Sequence, residues 1–420
     1  MSTENSKRAV GPIALLALGI NGIVGVGIFF APAEVARGAP GWQSIALFAV
    51  TGLALLPVAV TFSSIGRRFD EDGGPIVFAR AAFGDLASFL VGWIAYISAI
   101  ASTAAVMSGM TAALAPMFHL ETPLAKSLAA AALATVLAIV CAAGIRLSAW
   151  VWTGLTALKL LPLLALVAIY AIAGFPAPAS VATAVPAGSL LRAALIATFA
   201  FQGFEVVPVI AGQVRSSARA IPWAIGGALS SSILLYVLLQ AACVAALPLL
   251  ASSGSPLADA AGVFGGPRLA AFIVAGTSIS ALGIAFGMMA TTPRYLSALA
   301  SGGGSLPFEF EKIGSNGVPM RALFITWLLV VALLQAGSLS QFFALSSVAV
   351  LAQYGVTALA LIALARRREH GLVPAQAWPA FPTILVTLAL VIWGAESREA
   401  LIAGGAMVLG LALRWHHRRG

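Results

Sequence analysis

Charge is scarce in this chain. Of 420 residues, 23 are Lys or Arg and 14 are Asp or Glu, so 9% carry charge, against roughly 25% in ordinary soluble domains. A soluble chain of this size needs far more polar surface. Cysteine is scarcer still: Cys141 and Cys243 lie far apart inside apolar runs, which excludes a disulfide framework and a zinc cluster and reads as two small core residues. The four histidines, at positions 119, 370, 416 and 417, all fall in loops or at the tail. No HExxH, CxxC cluster or Walker-type lysine occurs, which removes the basis for an intramembrane metalloprotease or an ATP-driven pump. No cofactor or metal is expected, and the chain is read as a non-enzyme. The polar residues 1–10 lead into an apolar run without an A-x-A-like cleavage site, so no removable signal peptide is expected.

What remains is apolar: 60% hydrophobic residues and a mean hydropathy of +1.01. Runs free of Asp, Glu, Lys and Arg cover Leu86–Phe118, Ser127–Ile145, Ala220–Ala258, Leu269–Pro293 and Ala322–Ala365. A membrane-spanning helix needs about 20 apolar residues. The last run is long enough for two, with the polar Gln335–Gln341 segment as the turn between them. The pattern predicts twelve helices, near 11–36, 43–66, 84–115, 125–145, 148–172, 189–213, 219–248, 268–299, 319–336, 340–365, 379–394 and 399–415. The final pair is the shortest, and a tilted or re-entrant hairpin is its alternative.

Net charge of +9 does not point to nucleic acid, because the basic residues sit in the short connections. Twelve spans place 17 of the 23 Lys and Arg on one side. Five lie on the other (Arg37, Lys126, Arg192, Arg268, Arg398), and Lys159 is left inside a span. That asymmetry predicts a multi-pass protein of a bacterial-type plasma (inner) membrane with both termini cytoplasmic. It does not decide the last pair, whose removal leaves the tail on the same side.

Two spans are interrupted. The first contains Gly19, Gly22, Gly25 and Gly27 within nine residues, each costing up to about 1 kcal/mol in a helix relative to Ala. The sixth reads Phe199-Ala200-Phe201-Gln202-Gly203-Phe204-Glu205. In lipid a broken helix survives only where it lines a cavity. Glycine-interrupted spans at matching places in two halves point to a transporter site; the alternative is close helix packing through small residues. Lys159 lies eleven residues into the fifth span, too deep to reach water along its stem. It must find acceptors in the interior, with the broken first span the natural source, and it serves either as a proton-exchanging group, as a fixed positive charge in place of Na⁺, or as a permanent structural cation. Glu205 is either a gating or proton-linked carboxyl or a cap for the amides freed at the break. Glu34, near the end of the first span, is expected at the interface.

These residues resemble the amino acid–polyamine–organocation (APC) transporters. The likeness is carried by Gly25-Val26-Gly27-Ile28-Phe29, by Gly73-Gly74-Pro75 through Phe83-Gly84, by Phe199–Glu205 with Ala211-Gly212-Gln213-Val214-Arg215 and Ala220-Ile221-Pro222, and by Pro293-Arg294-Tyr295 with Gly317-Val318-Pro319. It runs in order from about 11 to 365. The resemblance implies an all-α polytopic fold of two inverted five-helix repeats (11–173 and 189–366) with discontinuous first and sixth helices, followed by a C-terminal helical hairpin (377–415) and a tail (416–420). It implies a substrate carboxylate held at Gly25, Val26 and Gly27, an amine held by carbonyls of Ile23, Phe199 and Gln202, Phe199 as a gate, a helix break at Gly203 and Glu205, and proton coupling through Lys159, which matches a lysine of sodium-independent members. Two departures stand out. Val26 replaces a common Ser, removing a hydroxyl from the carboxylate site, and Gln213 stands where Glu is usual.

The expected function is secondary active transport of an amino acid, a neutral one favoured by the apolar and aromatic lining, driven by protons through alternating access. Exchange or export, and a polyamine or amine carrier with Glu205 as counter-charge, remain alternatives. A channel would need polar rings at several levels of a pore, and a sensor an output domain; neither is legible here. The oligomeric state is left open.

Overall fold

The structure, a computed structural model, describes residues 11–25, 27–70, 73–115, 118–144, 149–177, 189–214, 217–300, 306–315 and 317–419. Every regular element among them is helical. The chain begins with α1 (Pro12–Ile23) and α2 (Gly27–Gly38), bent by 42° where they meet. Next come α3 (Trp42–Ala54) and α4 (Leu56–Gly66), which form one span. Then follow α5 (Pro75–Phe83), α6 (Asp85–Leu114), α7 (Pro123–Ala142) and α8 (Ala149–Ile172).

The second part holds α9 (Ser189–Phe201), a 3₁₀ segment Phe204–Gln213, α10 (Ser217–Ala246) and α11 (Pro256–Ala300). The chain closes with α12 (Met320–Ala336), α13 (Leu339–Arg367), α14 (Ala380–Gly394) and α15 (Ser397–Arg419).

Among the described residues, seven helices are by length and composition able to cross a membrane, and the bent α1–α2 pair makes an eighth. Shorter apolar helices occupy Leu158–Ile172, Ser189–Phe201 and Met320–Ala336. With α15 added, twelve helical segments among the described residues fall on the twelve expected stretches. This is a polytopic all-α membrane protein. Two details differ from the expectation. Residues 75–83, read as connection, form α5, which starts at Pro75, where a helix needs no N–H. The eighth span has a helical lead-in: α11 starts at Pro256, breaks at Gly266 (φ 75°) and restarts at Pro267. The polar turn expected before the tenth span is there, with Ser338 and Gln341 forming a reciprocal capping box at the start of α13.

Polar contacts define the two ends of the bundle. At one end Arg192 of α9 grips Glu399 of α15 with two bonds of 2.5 and 2.6 Å, and Arg37 bonds Glu34 (2.8 Å) and the Ala251 carbonyl (3.1 Å). At the opposite end Arg367 donates to Ala82 O (3.1 Å) and Arg414 to Asp85 O (2.9 Å). Helix α15 therefore runs from one end to the other. Its 23 residues cover about 33 Å, enough for a hydrocarbon core of about 30 Å. Its five charges, Arg398, Glu399, Arg414, Arg418 and Arg419, sit at its tips, which is why composition alone under-reads it. Glu34 lies at the same end as Arg192, 5% exposed and held by Arg37.

Candidate functional site

The two interrupted spans meet backbone to backbone. In the first, the Gly25 amide bonds Ile23 O (2.7 Å) and the Val24 amide bonds Ile20 O (2.7 Å), a tight reversal that ends α1. In the second, Gly203 adopts φ +125°, a region that favours glycine, and the chain beyond it winds as 3₁₀ around Pro208. A Cβ on Gly203 would lie 2.2 Å from the carbonyl carbon and oxygen of Gly22, and one on Gly22 would lie 2.7 Å from Gly203 O. Glycine at these positions is a requirement of contact between the two breaks. Small-residue packing and cavity lining are thus both present, in the same residues.

A cavity of about 320 Å³ opens beside this contact, within the usual range for small-molecule sites. It is lined by Gly22, Ile23, Gly25 and Gly27 from the first break, and by Phe199, Gln202, Gly203 and Glu205 from the second. The lining continues to Gly73, Pro75 and Tyr295, toward the end where Arg67 and Arg68 follow α4 and where α5 and α13 carry Arg80, Arg366 and Arg367. Of the nine candidate site residues, Ile23, Gly25, Gly27, Phe199, Gln202, Gly203 and Glu205 converge here. Val26 lies outside the described residues, as do the Gln213 side chain and Arg215. Lys159 sits behind the break.

The geometry refines individual roles. The first turn of α2 begins at Gly27, directly against Phe199 and Ala200: a Cβ there would meet the Ala200 Cα at 2.9 Å and the Phe199 ring at 3.1 Å. Amides in such a first turn have no intrahelical partners and carry the positive end of the helix dipole. Ile23 O already receives two donors, the Gly25 amide and the hydroxyl of Tyr236 (2.8 Å). To accept an amine as well, it must release one of them. Phe199, in the cavity lining, stacks on Phe343 with ring centroids 4.3 Å apart. Glu205 caps the break: its Oε2 accepts from the Gly203 amide (2.8 Å) and from Tyr354 Oη (2.9 Å).

Lys159 is 4% exposed, and its Nζ donates to Asn21 O at 2.7 Å. The reason is local. In an unbroken helix Asn21 O would accept from the Gly25 amide, but that amide has turned to Ile23 O. The break frees a carbonyl, and the buried ammonium takes it, offsetting part of the cost of burying charge.

Sequence reasoning missed a polar cluster behind Gln202. Ser346 Oγ donates to Gln202 Oε1 (3.0 Å) and lies 2.7 Å from Ser102 Oγ and 3.2 Å from Ser98 Oγ, while Gln202 Nε2 donates to Ser347 Oγ (3.1 Å). Serines at four-residue spacing in an apolar span (Ser98 and Ser102) were the available signal. Tyr236 and Tyr354, both fully buried, had no signal beyond being hydroxyls in spans.

A family model for amino acid permeases matches residues 10–395. The chain belongs to the amino acid permease family. An uncharacterized transporter of Mycobacterium tuberculosis is 28% identical over 419 residues, covering 98% of this permease and 91% of that protein. The L-lysine transport protein of Corynebacterium glutamicum is 26% identical over 341 residues, covering 77% of this permease and 68% of the relative. Human cationic amino acid transporter 4 is 26% identical over 319 residues, but the match spans only 50% of its length. The permease is therefore a transporter of the amino acid and amine class within the APC superfamily, and its substrate is a small molecule.

Proposed function

We propose that this permease carries an amino acid with an uncharged side chain across a bacterial inner membrane by alternating access, driven by protons and independent of sodium. The observation that carries the proposal is the Lys159 Nζ–Asn21 O bond of 2.7 Å at the break of the first span. Lysine is a side chain able to exchange its proton when buried, and here its ammonium ties a transported-proton site to the backbone that frames the cavity. It also places a positive charge where a metal cation would otherwise need carbonyl oxygens. Release of Asn21 O on deprotonation would loosen the hinge between α1 and α2, coupling proton and substrate.

The substrate carboxylate is assigned to the amides of Gly25, Val26 and Gly27 at the start of α2, where the dipole favours an anion. The amine is assigned to carbonyls of Ile23, Phe199 and Gln202, with Tyr236 yielding its bond to Ile23 as the amine arrives. The Phe199–Phe343 stack acts as the gate on one side. The cavity reaches Gly73 and Pro75 on the other, which we assign to the cytoplasm from the 17-to-5 division of basic residues. This conformation is then inward-facing, with both termini cytoplasmic. Residues 11–173 and 189–366 act as two inverted halves, and 377–415 is a closing hairpin.

A second reading is favoured by Glu205, a carboxylate in the cavity wall, and by the names of the lysine and cationic amino acid relatives. In it Glu205 pairs with a cationic side chain. Both donors on Glu205 Oε2 speak for a capping role instead. Uptake of a panel of labelled amino acids into proteoliposomes, with and without an inward proton gradient, separates these readings. Gradient-driven accumulation of a neutral amino acid is expected, and Lys159→Ala should abolish that accumulation while the protein still folds and binds substrate. Full, still pH-dependent uptake by Lys159→Ala would remove the lysine from the mechanism. Gradient-driven uptake restricted to lysine or arginine would favour the second reading.

A further inference from the structure

We infer that the amino acid carried has a polar, uncharged side chain that donates a hydrogen bond to Ser98 and Ser102. The inference rests on the amino acid reading of the same cavity and adds the substrate class. Ser98 and Ser102 lie one turn apart on α6, and both line the cavity together with Gln202. Behind them, Ser346 of α13 has a single hydroxyl proton, and it goes to Gln202 Oε1 (3.0 Å). Ser346 Oγ is therefore the acceptor in its contact with Ser102 (2.7 Å), and the Ser98 hydroxyl donates to Ser346 as well, within reach of both its carbonyl oxygen (3.3 Å) and its Oγ (3.2 Å). Donation to Ser346 uses the one proton that each of Ser98 and Ser102 has, so the oxygen lone pairs are what remains for a ligand. An acceptor wall recognises a hydroxyl or a carboxamide NH₂ and leaves an apolar side chain unrewarded.

Two rival readings of the cluster fit less well. Hydroxyl networks also hold membrane helices together, and α6 packs along α13. Pure helix glue has no need of atoms on a cavity, yet Ser98 and Ser102 keep 8% and 7% exposure while Ser346 and Ser347 keep none. A cationic side chain would also suit acceptors, but the carboxylate in the cavity wall, Glu205, already holds the Gly203 amide and Tyr354 on its Oε2. The lining from α11, Ile284 and Met288, is apolar and suits the aliphatic part of a small side chain.

The test compares near-isosteric pairs, serine with alanine, threonine with valine and asparagine with leucine, for binding to the purified protein and for uptake into proteoliposomes. The polar member of each pair should be preferred at least about tenfold, because a site built to bond a substrate hydroxyl rejects the analogue lacking it. Ser102→Ala should pull the serine-to-alanine ratio toward unity, and Ser102→Thr, which keeps the hydroxyl, should restore it. Ser98→Ala gives an independent reading should Ser102→Ala fold poorly. Equal binding of both members, preference for the apolar member, preference for lysine, or a ratio indifferent to Ser98 and Ser102 would overturn the inference while leaving amino acid transport intact. Failure of every amino acid to bind the wild-type protein would overturn both.

Discussion

The contact between the two breaks makes Gly203→Ala the most exacting perturbation available. A Cβ at this position would sit 2.2 Å from the carbonyl carbon and oxygen of Gly22 and 2.6 Å from the Ile23 amide nitrogen. Ordinary van der Waals contact begins near 3.4 Å, so the two breaks must part by about 1.2 Å (3.4 minus 2.2). The atoms in the way are backbone and cannot rotate aside. Gly203 also holds φ +125°, where a residue with a side chain pays about 1–3 kcal/mol in strain. Overpacking of a tight interface adds about 1–3 kcal/mol. Together they come to roughly 2–6 kcal/mol, concentrated at the cavity wall. Gly226, in α10, is the internal control, since a Cβ there meets nothing within 4 Å, and Gly226→Ala gains helix propensity of up to about 1 kcal/mol. Thermal unfolding half-lives in detergent should fall sharply for Gly203→Ala and hold or lengthen for Gly226→Ala. Substrate affinity should also fall for the first variant, because the amides and carbonyls on either side of the cavity shift by an ångström. If Gly203→Ala matches Gly226→Ala in lifetime and wild type in affinity, the backbone-to-backbone contact is not the basis of the site.

Two further substitutions test an ion pair at one end of the bundle and a hydroxyl beside the site. Arg192→Ala leaves Glu399, 2% exposed, without its bidentate partner and should cost about 3–5 kcal/mol; Arg192→Leu combined with Glu399→Leu should recover much of that loss in thermal unfolding, and a single variant as stable as wild type would refute the pairing. Tyr354→Phe removes one donor to Glu205 while keeping the ring packed 5.4 Å from Phe62 and Phe204. It should cost about 1.5–3 kcal/mol, the range for a bond to a charged group, read as a shorter lifetime in detergent; an unchanged lifetime would mean that the Gly203 amide alone holds the carboxylate.

Much of the architecture is legible in the sequence. Spans announce themselves by length and the absence of charge, and the break in each discontinuous span by glycine at mid-depth, because neither pattern has another comfortable place in lipid. Lys159 was legible for the same reason: a charge that far into a span needs an explanation in the interior. Less legible were elements that escape an apolar count. Helix α5 is short and lies beside the bundle end, and α15 carries its charges at its tips. The serine cluster was illegible as a site because hydroxyls are ordinary in spans, and nothing in a single run of residues says which neighbours will face them.

The sequence by itself determined that this chain crosses a membrane many times, that its first and sixth spans are interrupted, and that a lysine lies deep inside the fifth. These follow from solvation: each residue's cost in lipid depends on its own chemistry and depth, which a linear pattern reveals. Only the tertiary structure decided that Gly22 and Gly203 touch, that Asn21 O receives Lys159, that Tyr236 already holds Ile23 O, and that Glu205 caps the second break. Those depend on which backbone groups a break leaves unpaired and which side chain from a distant helix arrives to satisfy them. That assignment is made by packing between helices more than a hundred residues apart in the chain, as between Asn21 and Lys159, 138 positions apart.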